Sequence, residues 1–157
     1  MHTLLVLVGK TNDSRIISLM EDYIKRINRY HRLDIQIVPE LKKKGKQNEK
    51  IQKQKEGASI LEMLKPGDWT IILDERGKSF DSVSFSKYIN NKRSCAHKRM
   101  VFVVGGPYGF SDEIYDRCQE KIALSSMTFS HQMVRLFLLE QLYRVNTLLN
   151  NEPYHHK

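Results

Sequence analysis

The chain of 157 residues is long enough for one compact domain and too short for two, and its 40% hydrophobic and 28% charged residues are typical of a soluble globular protein. Its 26 Lys and Arg against 18 Asp and Glu give a formal charge of +8, which favours an anionic partner, most commonly nucleic acid. A basic protein without such a partner is the alternative.

The sequence carries no recognisable targeting or metal-binding signal. The apolar run near the amino terminus is short and lacks a cleavage-site pattern, and no window approaches the length of a membrane span. Cys95 and Cys118 form no CxxC pair and have no metal-ligand spacing around them, which predicts reduced, non-catalytic thiols. We therefore expect a cytoplasmic protein without a metal site or a membrane anchor.

Strands and helices alternate along the chain. Short apolar or alternating runs predict the strands, and apolar residues at helical spacing, preceded by caps such as Asp13, predict the helices. The predicted strands are residues 3–8, 33–38, 69–73, 100–104 and 121–124. This alternation predicts a single α/β domain with a mainly parallel sheet between helices.

A run of lysines precedes the third strand. Residues 41–55 hold seven lysines and one acid, and their second half is predicted to continue as a helix that stops at Pro66-Gly67. The apolar residues of this helix are Ile51, Ala58, Leu61 and Leu64. The lysines fit a solvated helix face or contact with a phosphate backbone.

Three loops that follow strands are candidates for ligand binding. Gly105, Gly106 and Gly109 would let a ligand approach the main chain, although the spacing matches neither a phosphate loop nor a dinucleotide fingerprint. The charged stretch 74–78 beside Gly77 marks either a site or an exposed loop. The small and hydroxyl side chains of residues 125–130 suit an adenine or ribose edge, or an ordinary connection.

The last predicted helix, residues 131–149, is apolar on nearly every face, so we expect a homodimer interface, with a central core helix as the alternative. Arg135 and Arg144 are nine positions apart and fall on opposite faces, so a joint site needs a second subunit or a bent tail. A buried, paired arginine is the other interpretation. In the tail, the ring of Tyr154 suits stacking on a base and the cations suit phosphate, although terminal residues often fray.

Several separated motifs agree in order and spacing with one family. They are Leu73-Asp74 with Gly77-Lys78, Val103-Val104-Gly105-Gly106, Leu124-Ser125-Ser126-Met127-Thr128-Phe129, His131, Val134-Arg135, Glu140-Gln141-Leu142-Tyr143-Arg144 and Pro153-Tyr154-His155. The chain resembles the bacterial ribosomal RNA large subunit methyltransferase H family, minimal members of the SPOUT class of knotted methyltransferases. The resemblance covers the whole chain and is strongest after residue 100.

The resemblance implies one domain over residues 1–157 that forms a homodimer and has a C-terminal trefoil knot, which the general rule of unknotted chains would not predict. It implies that the knot, at about 73–130, binds S-adenosylmethionine, and that the helix and tail at about 131–157 contact the partner subunit and RNA. The implied cofactor-binding residues are Leu73, Gly105, Leu124, Ser125, Ser126, Met127, Thr128 and Phe129.

The implied substrate is a pseudouridine in helix 69 of 23S rRNA, methylated at N3 in the assembled 70S ribosome. His156 departs from the arginine or lysine expected there, which leaves open the tail cation that contacts RNA. Two alternatives are a SPOUT methyltransferase acting on another RNA, such as tRNA, and a non-catalytic ribosome-binding protein.

Methyl transfer to a ring nitrogen is an in-line displacement that needs alignment but neither a metal nor a covalent nucleophile, which fits idle cysteines. Because N3 must lose a proton, a base or a cation that stabilises the developing anion is expected. The candidates for positioning the substrate are Arg135, Arg144, Tyr154 and His155, with His131 as a weaker one. Arg135→Ala is predicted to abolish turnover and to leave cofactor binding nearly intact.

Overall fold

The computed structural model describes residues 2–40 and 49–155. The strands are β1 (His2–Val8), β2 (Leu33–Val38), β3 (Asp68–Ser79), β4 (Arg99–Val104) and β5 (Glu120–Ala123). The helices are α1 (Ser14–Ile27), α2 (Glu49–Met63), α3 (Ser82–Arg93), α4 (Asp112–Arg117) and α5 (His131–Leu149). The strands form one parallel sheet in the order β2-β1-β4-β3-β5, which confirms the predicted α/β class.

Helices cover both faces of the sheet. Successive residues of a strand point to opposite faces, so Leu5 and Leu7 of β1 pack with α1, α3 and α5, whereas Leu4 and Val6 pack with α2 and α4. Burial on both sides explains why the inner strands are continuous apolar runs. None of the helices in residues 2–40 and 49–155 is long and apolar enough to cross a membrane.

Two sequence predictions need correction. β3 does not end at residue 73 but continues to Ser79, so the charged stretch predicted as a turn is strand. The helix predicted in the lysine run exists as α2, but Ile51 is 43% exposed. The buried residues of α2 are Gln52, Glu56, Gly57 and Ile60. Residues 41–48, the first half of the lysine run, lie outside the described residues.

The inward face of α2 is partly polar, whereas Ile60 and Leu61 supply its apolar contacts with the core. Gln52 Nε2 donates to Glu56 Oε1 at 3.0 Å, so each of these two buried side chains has a hydrogen-bond partner. Gly57 faces α4 so closely that a Cβ there would lie 2.3 Å from the hydroxyl of Ser111. Leu61 and Leu64 of the predicted apolar stripe pack against the core, and the close approach at Gly57 adds a further contact with the segment before α4.

The extended β3 wraps around the edge strand. Ile122 of β5 pairs with Leu73 and again with Lys78, because the register of β3 shifts between these two residues. At Gly77 a Cβ would lie 2.5 Å from the backbone nitrogen of Ile122. Only glycine permits this crossing without displacement of the main chain.

The apolar α5 is covered mainly within the chain, since it packs against both α1 and α3 on one face of the sheet. Its burial therefore fits the central core helix that the sequence left as the alternative, and does not by itself indicate a dimer. Phe137 on α5 is 37% exposed and lies with its ring centroid 4.8 Å from that of Phe129, which is also 37% exposed. Homodimerisation stays a prediction.

A half-buried histidine joins β1, α3 and α5 at the amino end of the sheet. The hydroxyl of Thr3 lies 3.0 Å from His31 Nε2, and Arg93 Nη2 lies 3.2 Å from His31 Nδ1. Arg93 also donates to the side-chain oxygen of Asn146 at 3.0 Å. Burial, followed by the positive charge of Arg93, lowers the pKa of His31 from 6.5 to about 4.

This shift predicts a loss of stability in mild acid. As pH falls below 6.5, the unfolded chain protonates His31 while the folded chain does not, so the free energy of unfolding should fall by about 2 kcal/mol between pH 7 and pH 5. Urea unfolding of wild type and His31→Gln at both pH values measures this. Burial raises the pKa of Glu56, which acts in the opposite direction but equally in both proteins. Equal losses in the two proteins would exclude His31 as the group responsible.

Candidate functional site

A cleft of about 810 Å³ opens at the carboxyl ends of β4 and β5, beside residues 73–76 within β3. Ligand sites of open α/β sheets lie at this edge, where the loops after the strands meet. Segments 73–76, 104–110 and 122–131 line most of it, and the segment 122–131 omits only Ser126 from the lining. The three loops that the sequence singled out therefore converge on one cavity.

The residues implied to bind a cofactor lie in this cleft with one exception. Those that line it are Leu73, Gly105, Leu124, Ser125, Met127, Thr128 and Phe129. Ser126 does not line it and is exposed. His131, at the start of α5, also faces the cleft. That these residues contact a cofactor stays a prediction.

The glycine turn after β4 presents main chain to the cleft. Gly109 has φ +77°, which only glycine adopts readily, and its amide donates to the carbonyl of Gly106 at 3.2 Å. A Cβ on Gly105 would lie 2.9 Å from the ring of Phe110, which packs beneath the turn. The turn is thus held tightly, and its three glycines place no side chain of their own before a ligand.

A buried carboxylate lies beside the turn, at the point where β3 passes the sheet edge. Asp74 accepts hydrogen bonds from the backbone and guanidinium of Arg76 and from the hydroxyl of Tyr115. Burial alone would raise the pKa of Asp74, but the hydrogen bonds from Arg76 and Tyr115 outweigh it and lower the pKa to about 2. Asp74 therefore carries a full negative charge in the cleft at neutral pH.

Both signs of charge line the cleft. Asp74, Glu75 and Asp112 contribute carboxylates, and Lys53 and Arg76 contribute cations. The sequence indicated Asp74 and Arg76 as charged residues at a strand end, but nothing in it indicated that Tyr115, on α4, would join them. A zwitterionic or positively charged ligand suits such a lining.

The tail folds back onto α5 and brings three predicted substrate residues together. Arg144 donates to the carboxylate of Glu140, lies with Nη1 3.3 Å from His155 Nδ1, and stacks its guanidinium 4.8 Å from the ring centroid of Tyr154. Tyr154 in turn donates to Glu140 at 3.2 Å and lies 3.3 Å from the hydroxyl of Tyr23. We call Glu140, Arg144, Tyr154 and His155 the tail cluster. His156 lies outside the described residues.

A second cavity, of about 590 Å³, connects the tail cluster to the cleft. His155 and Gln141 line it, together with the aromatic side chains of Phe80, Phe85, Phe129 and Phe137. Ile122, Ala123, Leu124 and Phe129 line both cavities. The tail cluster is therefore separated from the cleft by the second cavity and by the residues that line both cavities.

Arg135 does not join the tail cluster. Its side chain is fully buried, and it donates from Nη2 to the carbonyl of Val8 at 2.6 Å and from Nη1 to the hydroxyl of Thr11 at 2.9 Å. Arg135 Nε has no hydrogen-bond partner in the described part of the chain. The joint site of Arg135 and Arg144 that the sequence allowed is thus not formed within one chain, and Arg135 instead ties α5 to the end of β1.

The cysteines lie apart from both cavities. Cys95 is exposed and Cys118 is half-buried, both are free thiols, and neither lines a cavity wall. Burial raises the pKa of Cys118 to about 11, which keeps it protonated and a poor nucleophile. Among residues 2–40 and 49–155, no group of three or more His, Cys, Asp or Glu is arranged to hold a metal ion.

Known proteins resemble this chain over its full length. A family model described as "Predicted SPOUT methyltransferase" matches residues 1–155. The protein named "Ribosomal RNA large subunit methyltransferase H" from Phocaeicola vulgatus is 50% identical over 153 residues, 98% of each chain. The protein of the same name from Flavobacterium johnsoniae is 50% identical over 157 residues, 100% of each chain.

A solved structure supports the fold independently of sequence. It is that of a probable methylase family protein from Haemophilus influenzae Rd KW20, with a TM-score of 0.54 and 11% identity. The match covers 95% of this chain and 66% of that one. At this identity the likeness concerns the arrangement of strands and helices alone.

Proposed function

Because this chain belongs to the SPOUT methyltransferase family, we propose that it transfers a methyl group from S-adenosylmethionine to N3 of a pseudouridine in helix 69 of 23S rRNA within the assembled 70S ribosome. Full-length relatives named as ribosomal RNA large subunit methyltransferases, at about 50% identity, support the substrate class. The observation that carries the proposal is the meeting of three family motifs in one cleft, next to a cavity that reaches the tail cluster.

The cleft suits S-adenosylmethionine in shape and charge. The main chain of the turn at Gly105 and the loop 124–129 suits the adenine and ribose, and Leu73 offers an apolar wall. The carboxylates of Asp74 and Asp112 suit the positive charges of this molecule, and the guanidinium of Arg76 suits its carboxylate. When bound, S-adenosylmethionine supplies an electrophilic methyl group on a positively charged sulfur.

The tail cluster supplies the groups that bind the acceptor base. Burial, together with hydrogen bonds to Tyr23 and Glu140, raises the pKa of Tyr154, so its hydroxyl stays protonated and serves as a donor rather than a base. Arg144 keeps a positive charge beside it and stabilises the negative charge that develops on the ring when N3 loses its proton. His155, next to Arg144, orients the base.

Arg135 acts as a positioning residue. It lies in the second turn of α5, and its two hydrogen bonds hold that turn against Val8 and Thr11, at the end of β1. The helix start it fixes carries His131 and Val134, which line the cleft. We infer that Arg135 holds the start of α5, which forms part of the cleft wall, in a fixed position against the sheet and does not touch the base.

The proposal includes a trefoil knot at about 73–130, a homodimer, and a cytoplasmic location where ribosomes are found. The close approach of Gly77 to the backbone of Ile122 supports the knot, since a threaded chain needs such tight contact between main-chain segments. No metal is required, because the nitrogen supplies its own lone pair once deprotonated.

The test is methyl transfer from labelled S-adenosylmethionine to purified 70S ribosomes, with separated subunits, free rRNA and tRNA alongside. We expect label at the helix 69 pseudouridine in assembled 70S ribosomes alone. Label on tRNA would identify tRNA, and not 23S rRNA, as the substrate. Binding of S-adenosylmethionine without transfer to any of these RNAs would favour a non-catalytic ribosome-binding protein.

A further inference from the structure

The second cavity adjoins the cleft that is proposed to hold the methyl donor, and the two share Leu124 and Phe129. In-line transfer requires the reacting atoms within about 3.5 Å of each other, so a base bound in this cavity must reach the cleft past these shared residues. We propose that this cavity receives the target base, unstacked from the RNA, with Phe129 and Phe137 as stacking walls and Gln141 as the residue that reads its edge. This inference rests on the proposed function.

Aromatic rings give the cavity flat apolar walls. Phe80, Phe129 and Phe137 all line it, and the last two expose 37% of their surface each. Bases taken out of a helix or loop stack on such rings in many RNA-binding proteins. A cavity of about 590 Å³ exceeds what one base needs, so part of the attached sugar also fits.

Gln141 supplies a polar edge of fixed orientation. Its side-chain oxygen accepts from Ser82 Oγ at 2.9 Å, and its Nε2 donates to Glu140 at 2.7 Å. An amide has two donor hydrogens and two acceptor lone pairs, so one of each is left for a ligand after these two bonds. A uracil-type ring offers carbonyl acceptors beside an N–H donor, and a side-chain amide matches that pair with two hydrogen bonds.

The tail cluster closes the polar side of the same cavity. His155 lines it and contacts Arg144, and Glu140 of the cluster also holds Gln141. The residue that reads the base is therefore linked through one carboxylate to the cation that stabilises charge on it. A side chain from a second copy of this chain, covering Phe129 and Phe137, is the rival occupant.

The experiment compares Gln141→Leu and Phe137→Ala with wild type and with Ile37→Ala as the matched control. Ile37 is 44% exposed on β2, at the opposite edge of the sheet. Steady-state methyl transfer to 70S ribosomes gives kcat and KM, calorimetry gives the affinity for S-adenosylmethionine, and light scattering gives the oligomeric state. We expect kcat/KM to fall about 10- to 100-fold in both cavity variants, with cofactor affinity and oligomeric state unchanged.

Each other result overturns the inference in a recognisable way. Normal kcat/KM in both variants would show that the base does not bind in this cavity, without contradicting the proposed function. A change of oligomeric state in Phe137→Ala, with Gln141→Leu unaffected in turnover, would assign the cavity to a second copy. If the wild-type protein binds the cofactor but transfers no methyl group to ribosomes, the proposed function is contradicted, and this inference is contradicted with it.

Discussion

Arg144→Ala is expected to lower kcat for methyl transfer about 100- to 1000-fold, with the affinity for S-adenosylmethionine changed less than about twofold. Arg144 contacts Glu140, Tyr154 and His155, so its loss removes a cation from the proposed base site and also releases the tail that carries the other two groups. Arg144 does not line the cleft, which is why cofactor binding should persist.

Arg26→Ala is the matched control. Its guanidinium stacks over Tyr23 and Tyr143, at 5.7 and 5.6 Å from the ring centroids, so it resembles Arg144 in chemistry while its stacking partners lie on α1 and α5. Methyl transfer to ribosomes and calorimetry with S-adenosylmethionine should be measured for both. If Arg144→Ala transfers methyl groups at the same rate as Arg26→Ala, the tail cluster takes no part in the reaction. Loss of cofactor affinity in Arg144→Ala would instead indicate a general structural role.

Arg135→Ala is expected to lower the free energy of unfolding by about 3–5 kcal/mol. The substitution empties the volume of a fully buried side chain and leaves the carbonyl of Val8 and the hydroxyl of Thr11 without their donor. The sequence predicted loss of turnover with cofactor binding nearly intact. Burial makes the unfolding free energy the first quantity to measure, by urea denaturation.

Arg135→Met separates packing from hydrogen bonding. Methionine fills much of the same space without burying a charge, so the expected loss is about 1–2 kcal/mol, from the unpaired groups of Val8 and Thr11 alone. Turnover of the folded Met variant then reports the positioning role. Unfolding of Arg135→Ala at the same urea concentration as wild type would contradict the buried position of this side chain.

The class of fold and the positions of the ligand loops could be predicted from the sequence alone. Apolar runs that alternate with helical periodicity predict a parallel sheet covered on both faces, because each element must bury its apolar surface against another. The loops at Gly105 and Leu124 follow strands in that pattern, and parallel strands bring their carboxyl ends to one edge, beside the part of β3 that begins at Leu73. Their convergence in one cleft therefore follows from local signals and topology together.

Which polar residues meet could not be predicted from the sequence, because it depends on the assembled fold. Arg135 and Arg144 look alike in the sequence, yet one is buried beneath Val8 and the other holds the tail, because α5 is covered by α1 and α3 on one side and by the returning chain on another. The extension of β3 depends on its pairing with β5, more than forty residues later, which no local propensity reports. The contact of Tyr115 with Asp74 arises in the same way, since distant segments meet only once the sheet is assembled.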